Sequence, residues 1–113
     1  MNLDLETIRS LVIEERVAFK KHTLLRMNER RISADEVKTA LLQCEVVEAY
    51  PEDRPLPSGL FLGFTETGRP IHAVAAVDLD DKMLWLITVY EPTSAAWFEG
   101  YRKRKADNEV SSM

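Results

Sequence analysis

The sequence predicts an α+β fold: N-terminal helices packed on a four-stranded antiparallel meander sheet, followed by a C-terminal helix. Three observations predict it. Apolar residues recur at helical spacing up to about residue 43, four short β-like segments follow between residues 45 and 91, and an amphipathic stretch comes after Pro92. Because the connections between the four segments are short, neighbouring strands must run antiparallel. Helices grouped before a meander sheet are typical of this class.

Two predicted helices open the chain. The first covers residues 3–15, where four apolar residues share one side: Leu5, Ile8, Leu11 and Val12. The next four residues, "RVAF", are rich in types that favour strands and predict a short extended segment. The second helix is predicted from His22 to Arg31, with Leu24 and Met27 facing the core.

A capping box predicts the start of the third helix. In "SADE", the Ser33 hydroxyl can accept a hydrogen bond from the backbone N–H of Glu36, and the Glu36 carboxylate can accept one from the backbone N–H of Ser33. The helix is predicted to run to about Gln43. It should bury three apolar residues: Val37, Ala40 and Leu41.

Four segments predict the strands of the sheet: residues 45–50, 59–66, 71–77 and 82–91. Two of them, "GLFLGF" and "MLWLITV", are apolar at both parities, which indicates that both faces of the sheet are covered. The first helices can cover one face. A last helix capped by Thr93 or Ser94, a second copy of the chain or a partner protein would cover the other.

Length and composition predict one domain, residues 1–113, with a frayed tail at residues 106–113. A single cysteine excludes an intrachain disulfide and a cysteine-based metal cluster. No apolar run approaches the roughly 20 residues of a membrane-spanning helix. The first residues lack the pattern of a secretory signal. We therefore expect a cytoplasmic protein that does not enter a membrane.

The net charge of −4 hides two basic clusters. Residues 16–31 carry six Lys and Arg against one Glu, and "YRKRK" at residues 101–105 is also basic, whereas residues 35–53 are acidic. Focused positive charge attracts phosphate even on an anionic protein. The alternative is that such clusters are simply solvated surface.

The stretch "HTLLRMNERR" places His22, Arg26 and Arg30 four residues apart, so that a helix lines them up on one face. An imidazole can transfer protons near neutral pH. A guanidinium can hold a phosphate through two parallel hydrogen bonds. The alternative is that the two arginines pair with Glu52 and Asp53 and that the histidine caps the helix.

His72 lies in the middle of the third predicted strand. If the turn before it consists of Thr67 and Gly68, then Gly63 lies directly opposite His72 and leaves room for a ligand. The alternative is a sheet histidine that is hydrogen-bonded to a neighbour or covers the glycine.

Three more side chains at strand ends complete the candidate set. Tyr90 can act as an acid or orient a substrate, or it can be a core tyrosine with its hydroxyl at the rim. Arg54 and Arg69 lie in loops at strand ends, where sites are commonly built. The sequence has no Gly-rich phosphate loop and no nucleophile motif. Its two histidines have no acidic residue at ligand spacing, so we predict no metal site.

Much of the chain resembles a family of small bacterial proteins classed as a domain of unknown function and placed in the RelE/ParE-like toxin superfamily. The resemblance covers about residues 19–98 and is carried by "KHTLLRMNERRISADEV", "YPEDRPLPSGLFLGFTETGRPIHAVAAVD" and "LITVYEPTSAAW". The family pattern usually has Gly where this chain has Arg31.

The resemblance implies a RelE-like fold and the toxin of a type II toxin–antitoxin pair. Studied members of that superfamily mostly cut messenger RNA, often on the ribosome, whereas the ParE branch inhibits DNA gyrase. We therefore expect an endoribonuclease that acts on mRNA without metal or cofactor. Its expected catalytic residues are His22, His72 and Tyr90, and its expected substrate-binding residues are Arg26, Arg30, Arg54 and Arg69. The alternative is a non-catalytic binding protein of the same fold, either a gyrase-type inhibitor or a degenerate toxin.

The expected partners are RNA and an antitoxin protein. An antitoxin segment, either an amphipathic helix or an added strand, would pack along the sheet and reach the His22/Arg26/Arg30 face. Without the antitoxin, exposed apolar area is expected to drive formation of a homodimer.

Overall fold

The structure, a computed structural model, describes residues 4–105 as three helices and a five-stranded sheet. The elements in chain order are α1 (Leu5–Ile13), β1 (Val17–Phe19), α2 (Lys21–Glu29), α3 (Ala34–Leu42), β2 (Glu45–Tyr50), β3 (Ser58–Phe64), β4 (Pro70–Asp78) and β5 (Met83–Tyr90). The α+β class is confirmed. The predicted frayed tail, residues 106–113, lies outside the described residues.

The sheet has the strand order β1-β5-β4-β3-β2. The four predicted strands form the expected antiparallel meander. The prediction of a four-stranded, wholly antiparallel sheet is wrong, because β1 pairs with β5 in parallel, with Val17 opposite Leu84. Arg16 secures this edge by donating hydrogen bonds to the carbonyls of Asp81 and Lys82, at 2.8 and 2.9 Å. A three-residue strand has too short a pattern to reveal a partner so distant in sequence.

The helices pack on one face of the sheet, α3 against β3 and β4, and α1 and α2 against β5. Between them lies an apolar core whose largest members are Ile8, Met27, Phe61, Ile71, Leu84 and Leu86. Gly63 allows α3 to come close to the sheet, since a Cβ atom built there would lie 2.0 Å from the carbonyl oxygen of Ala40.

Helix α2 ends in a Schellman motif. The N–H of Ile32 donates to the Met27 carbonyl at 2.9 Å, and the N–H of Arg31 donates to the Asn28 carbonyl at 3.2 Å. Arg31 therefore takes a positive φ of 58°. Glycine adopts this conformation most easily, so Arg31 holds it at some cost in backbone strain. Helix α3 starts with the predicted capping box between Ser33 and Glu36.

The buried stripe of α2 consists of Thr23 and Met27, which are 1% and 2% exposed. The prediction that Leu24 faces the core is wrong, because its side chain is 46% exposed. Residues four apart share a helix face, so burial of Thr23 with Met27 turns Leu24 towards solvent.

The other face of the sheet is covered in part by residues 96–105, which we call the C-terminal strap. The predicted C-terminal helix is wrong: after one turn at Thr93, the chain doubles back on itself. Phe98 donates its N–H to the Lys103 carbonyl, and Lys105 donates to that of Ala96, both at 2.9 Å. Gly100 lies in the turn with a φ of 91°, a conformation that no helix contains.

Side chains of the strap explain its extended form. Arg102 forms an ion pair with Glu45 at 2.6 Å, and Arg104 pairs with Glu48 at 3.1 Å. A bulge in β2 places the two carboxylates on the same face of the sheet. Alternate residues of an extended chain can meet them, whereas residues i and i+2 of a helix point in different directions. The basic "YRKRK" cluster is therefore partly neutralised.

Candidate functional site

A bulge in β5 lets α2 attach to the sheet. Thr88 lies opposite Val74 and Leu86 lies opposite Ala75, so Ile87 between them has no partner in β4. The free carbonyl of Ile87 accepts a 2.6 Å hydrogen bond from the buried hydroxyl of Thr23.

The other end of α2 is attached two residues further along β5. Arg30 donates from Nη1 to the Val89 carbonyl at 2.7 Å. These two side-chain bonds hold the helix along the strand at both ends, which fixes the groups on its flank.

A cavity of about 220 Å³, which we call the α2–β5 cavity, lies between the helix and the strand. Its lining residues are His22, Thr23, Arg26, Arg30, Ile87, Thr88 and Val89. All three residues of the predicted column therefore face one concave site, and all three are exposed. On the helix surface they lie next to the buried Thr23/Met27 stripe. Their side chains are therefore at the flank of α2, and not between the helix and the sheet.

The alternative in which Arg26 and Arg30 pair with Glu52 and Asp53 is wrong. Arg26 instead lies 3.9 Å from the carboxylate of Glu29, and both side chains are well exposed, at 65% and 68%. An exposed pair at that distance contributes little. Arg30 has one donor on a backbone carbonyl. Both guanidinium groups thus keep N–H groups that can bind an anion.

Arg69 occupies a different position, at the end of α2. It donates to the carbonyls of Arg30 and Arg31 at 2.9 and 2.7 Å, and it forms ion pairs with Glu91 at 2.6 Å and Glu36 at 3.6 Å. These contacts use its donors within the protein. The arrangement favours a positioning role, in which Arg69 fixes the helix end that carries Arg30.

The residue opposite His72 is Leu62, so the prediction that Gly63 faces it is wrong by one position. The connection between β3 and β4 is five residues long, not two, because Thr65 and Arg69 close it through a 3.0 Å backbone hydrogen bond. A change in loop length shifts the register of a hairpin. His72 therefore faces the strap side of the sheet, away from the helices.

His72 is fully buried under the strap. Its Nε2 lies 2.9 Å from the Tyr101 carbonyl, which can only accept, so Nε2 carries the proton. Its Nδ1 then accepts from the Tyr90 hydroxyl at 3.1 Å. The rings of Tyr90 and Trp97 both meet the imidazole edge to face. His72 is thus hydrogen-bonded to its neighbours, as the alternative of a structural sheet histidine expects. The catalytic role of His72 and Tyr90 stays a prediction.

Burial lowers the pKa of His72 and raises that of Tyr90. The neutral forms of both groups are therefore favoured, as their shared hydrogen bond requires. The nearby charges of Arg104 and Glu48 act on the pKa of His72 in opposite directions.

The lowered pKa of His72 predicts that stability falls in mild acid. Below about pH 6.5, the ordinary pKa of histidine, the unfolded chain binds a proton that the folded protein resists. The free energy of unfolding should fall from pH 7 to pH 5 with a slope of up to about 1.4 kcal/mol per pH unit. Urea titrations at several pH values measure it.

His72→Gln is the matched variant, since it keeps a polar side chain that does not titrate. It should be less stable at pH 7 but lack this slope. Hydrogen bonds from Arg102 and Arg104 hold the pKa of Glu45 and of Glu48 below their usual range, so the stability lost on their protonation appears only at lower pH. An unchanged slope in the variant would assign the pH dependence to another group.

A second cavity, of about 410 Å³, contains Arg54 and also borders Ile87. The structure thus separates the candidates into four places. His22, Arg26 and Arg30 share the α2–β5 cavity, His72 and Tyr90 lie together beneath the strap, and Arg54 and Arg69 occupy separate positions. Sequence analysis missed Thr23, whose only signal was its spacing of four from Met27. It also missed Trp85 in the second cavity.

These features define a small α+β protein with a cationic cavity beside an exposed imidazole. The family described as Domain of unknown function (DUF4258) matches residues 19–91, and the chain belongs to this family. The match itself says nothing about RelE or ParE toxins. Comparison with curated proteins and with solved structures gave no significant match.

Metal-binding groups and membrane-spanning helices were sought within residues 4–105. Within this range, no three His, Cys, Asp or Glu residues are grouped so that they could hold a metal ion. None of the helices described there has the length and apolar character needed to cross a membrane.

Proposed function

We propose that the protein is an endoribonuclease that binds the scissile phosphate of an RNA strand in the α2–β5 cavity, and that it acts as the toxin of a type II toxin–antitoxin pair. One observation carries the nuclease proposal: an exposed imidazole and two guanidinium groups face a single cavity with no carboxylate among its lining residues. The toxin assignment rests on the resemblance to RelE/ParE-like proteins.

The chemistry follows from the groups in the cavity. His22 accepts the proton of the ribose 2′-OH, and the 2′-oxygen attacks the adjacent phosphorus. The bond from phosphorus to the 5′-oxygen breaks, and the imidazolium returns its proton to that oxygen. The products are a 2′,3′-cyclic phosphate and a 5′-hydroxyl. Arg26 and Arg30 stabilise the extra negative charge of the transition state.

Anchoring makes Arg30 the better oriented of the two arginines. Its bond to the Val89 carbonyl, together with the bonds from Arg69 to the end of α2, fixes the guanidinium before substrate binds. A group already in place loses less freedom on binding. Arg26, whose side chain is 65% exposed, is free to turn towards the phosphate.

His22→Ala tests the proposal directly. The variant should lose about 100- to 10,000-fold in the rate of RNA cleavage, the range typical of a general acid–base group. Cleavage is measured on a labelled messenger RNA, free and on translating ribosomes, with detection of the 2′,3′-cyclic phosphate end. Asn28→Ala is the matched control, because Asn28 is exposed on the same helix but does not line the cavity. Equal activity in wild type and His22→Ala would rule out His22 as the base.

A second candidate function is non-catalytic binding, as in a gyrase-type inhibitor or a degenerate toxin. The burial of His72 favours it, because that leaves His22 as the one exposed histidine of the two in the chain. One imidazole must then serve as both base and acid. Growth arrest that persists in His22→Ala cells would support this candidate over the nuclease.

A further inference from the structure

The second cavity lies on the face of the sheet opposite the helices and beside the proline-rich loop. It has a volume of about 410 Å³, within the range of small-molecule sites in proteins. We call it the Trp85 cavity. Its lining residues are Lys20, Asp53, Arg54, Pro55, Leu56, Ser58, Ala76, Trp85 and Ile87.

The lining combines an apolar wall with a positively charged rim. Trp85 and Ile87 of β5, together with Ala76 and the loop residues Pro55 and Leu56, supply the apolar part. Lys20 and Arg54 supply two cations. An aromatic ring with cations beside it suits a flat, anionic, partly apolar ligand.

Internal contacts hold the loop side of this cavity in shape. Arg54 donates to the carbonyls of Glu52 and Asp53, both at 3.0 Å. The buried hydroxyl of Ser58 donates to the Asp53 carboxylate. The single acid of the lining is therefore tied to the protein, and the two cations determine the charge that a ligand meets.

The Trp85 cavity adjoins the α2–β5 cavity. Ile87, the bulged residue of β5, lines both. The start of α2 also runs past both, since Lys20 lines one cavity while His22 and Thr23 line the other. A ligand that spans them would place a charged group beside His22 and a flat group beside Trp85.

We propose that the Trp85 cavity is a nucleobase subsite, which receives the base of a nucleotide next to the phosphate bound in the α2–β5 cavity. The inference rests on the proposed function and adds a substrate class: single-stranded RNA. A base within a duplex is stacked and paired and cannot enter such a cavity, whereas an unpaired base can stack on an aromatic side chain.

The test compares two probes of equal charge on the intact protein. One is a tetranucleotide with 2′-O-methyl groups, which lack the nucleophile and so prevent cleavage. The other is the same ribose–phosphate chain without bases. Wild type should bind the first about 5- to 150-fold more tightly, the range expected for stacking one base on an aromatic ring. Calorimetry measures both affinities.

Substitutions of Trp85 test whether the difference in affinity between the two probes comes from this side chain. Trp85→Ala should bind the two probes equally, whereas Trp85→Phe, which keeps an aromatic ring, should keep most of the preference. Phe64→Ala is the matched control, since Phe64 is an exposed aromatic residue of the same sheet outside the cavity. Its preference should equal that of wild type.

The outcomes separate this inference from the proposed function. Equal binding of both probes by wild type, with weaker binding of both by Arg26→Ala/Arg30→Ala, would overturn the base subsite and leave the phosphate site intact. Unchanged binding of both probes by the arginine variant would overturn the phosphate site, and the subsite adjoining it would fall with it. A base preference that survives in Trp85→Ala would place the base elsewhere.

Discussion

Gly63→Ala is expected to destabilise the protein by about 3 kcal/mol or more, an overpacking cost at the upper end of those seen in cores. The added Cβ would lie 2.0 Å from the carbonyl oxygen of Ala40 and 2.6 Å from its carbonyl carbon. The atoms in the way belong to the backbone of α3, so a side-chain rotation cannot relieve the clash. Urea denaturation of wild type and variant measures the difference.

Gly68→Ala is the matched control, because it makes the same chemical change in open space. No atom lies within 4 Å of a Cβ at Gly68, but its φ is 87°. The cost should be about 1–2 kcal/mol, that of placing an L-residue in the left-handed region. Equal losses for the two variants would mean that α3 can move away from Gly63 without significant cost.

Signals within a few residues of each other correctly predicted much of the fold. The capping box joins Ser33 and Glu36, which are only three positions apart, and the meander followed from strands joined by short loops. The column of His22, Arg26 and Arg30 is of the same kind, since helical periodicity alone brings the three side chains to one cavity. The cavity itself could not be predicted, because its other wall is the bulged part of β5.

The predictions that were wrong depended on contacts between distant residues. Residues 93–105 have the composition of an amphipathic helix, but the strap instead follows the acids of β2, which lie more than 50 residues earlier. The residue opposite His72 depended on the length of one loop. Strand β1 belongs to the sheet only because it pairs with β5, which is distant in sequence. Tertiary contacts overrode local preference in each case.

Reversal of both cavity arginines, Arg26→Glu with Arg30→Glu, is expected to weaken RNA binding by about 100-fold or more. Each arginine supplies charge-assisted hydrogen bonds to phosphate, of about 1.5–3 kcal/mol. The loss of two phosphate contacts should also reduce the dependence of log affinity on log salt by about 1.4, because the slope is about 0.7 per contact for a single strand. Binding is measured with the uncleavable tetranucleotide at several salt concentrations.

The second basic cluster provides the control. Lys103→Glu with Lys105→Glu changes the net charge by the same amount, on lysines that lie over the ring of Phe98 in the strap. If general electrostatic attraction held the RNA, both pairs would weaken binding and lower the salt dependence alike. If the α2–β5 cavity holds a phosphate, the arginine pair should have much the larger effect on both.

The effect of the arginine substitutions on stability must be separated from their effect on RNA binding. Arg30→Glu removes the hydrogen bond from a charged group to the Val89 carbonyl, which should cost about 1.5–3 kcal/mol of stability. Urea denaturation determines whether the double variant remains folded under the conditions of the binding assay. Arg30→Lys, which keeps the charge but not the planar fork, should bind RNA with intermediate affinity.

If the protein is a toxin, as proposed, the same charge reversal tests how an antitoxin neutralises it. An antitoxin that covers the α2–β5 cavity would place acidic side chains against Arg26 and Arg30, because opposed charges speed encounter and fix register. The double variant should then lose antitoxin affinity together with RNA affinity, and its expression should no longer slow growth. If it loses RNA binding but binds the antitoxin with unchanged affinity and salt dependence, the antitoxin contacts another surface. Inhibition would then act by distortion of the site or by exclusion of RNA from a distance.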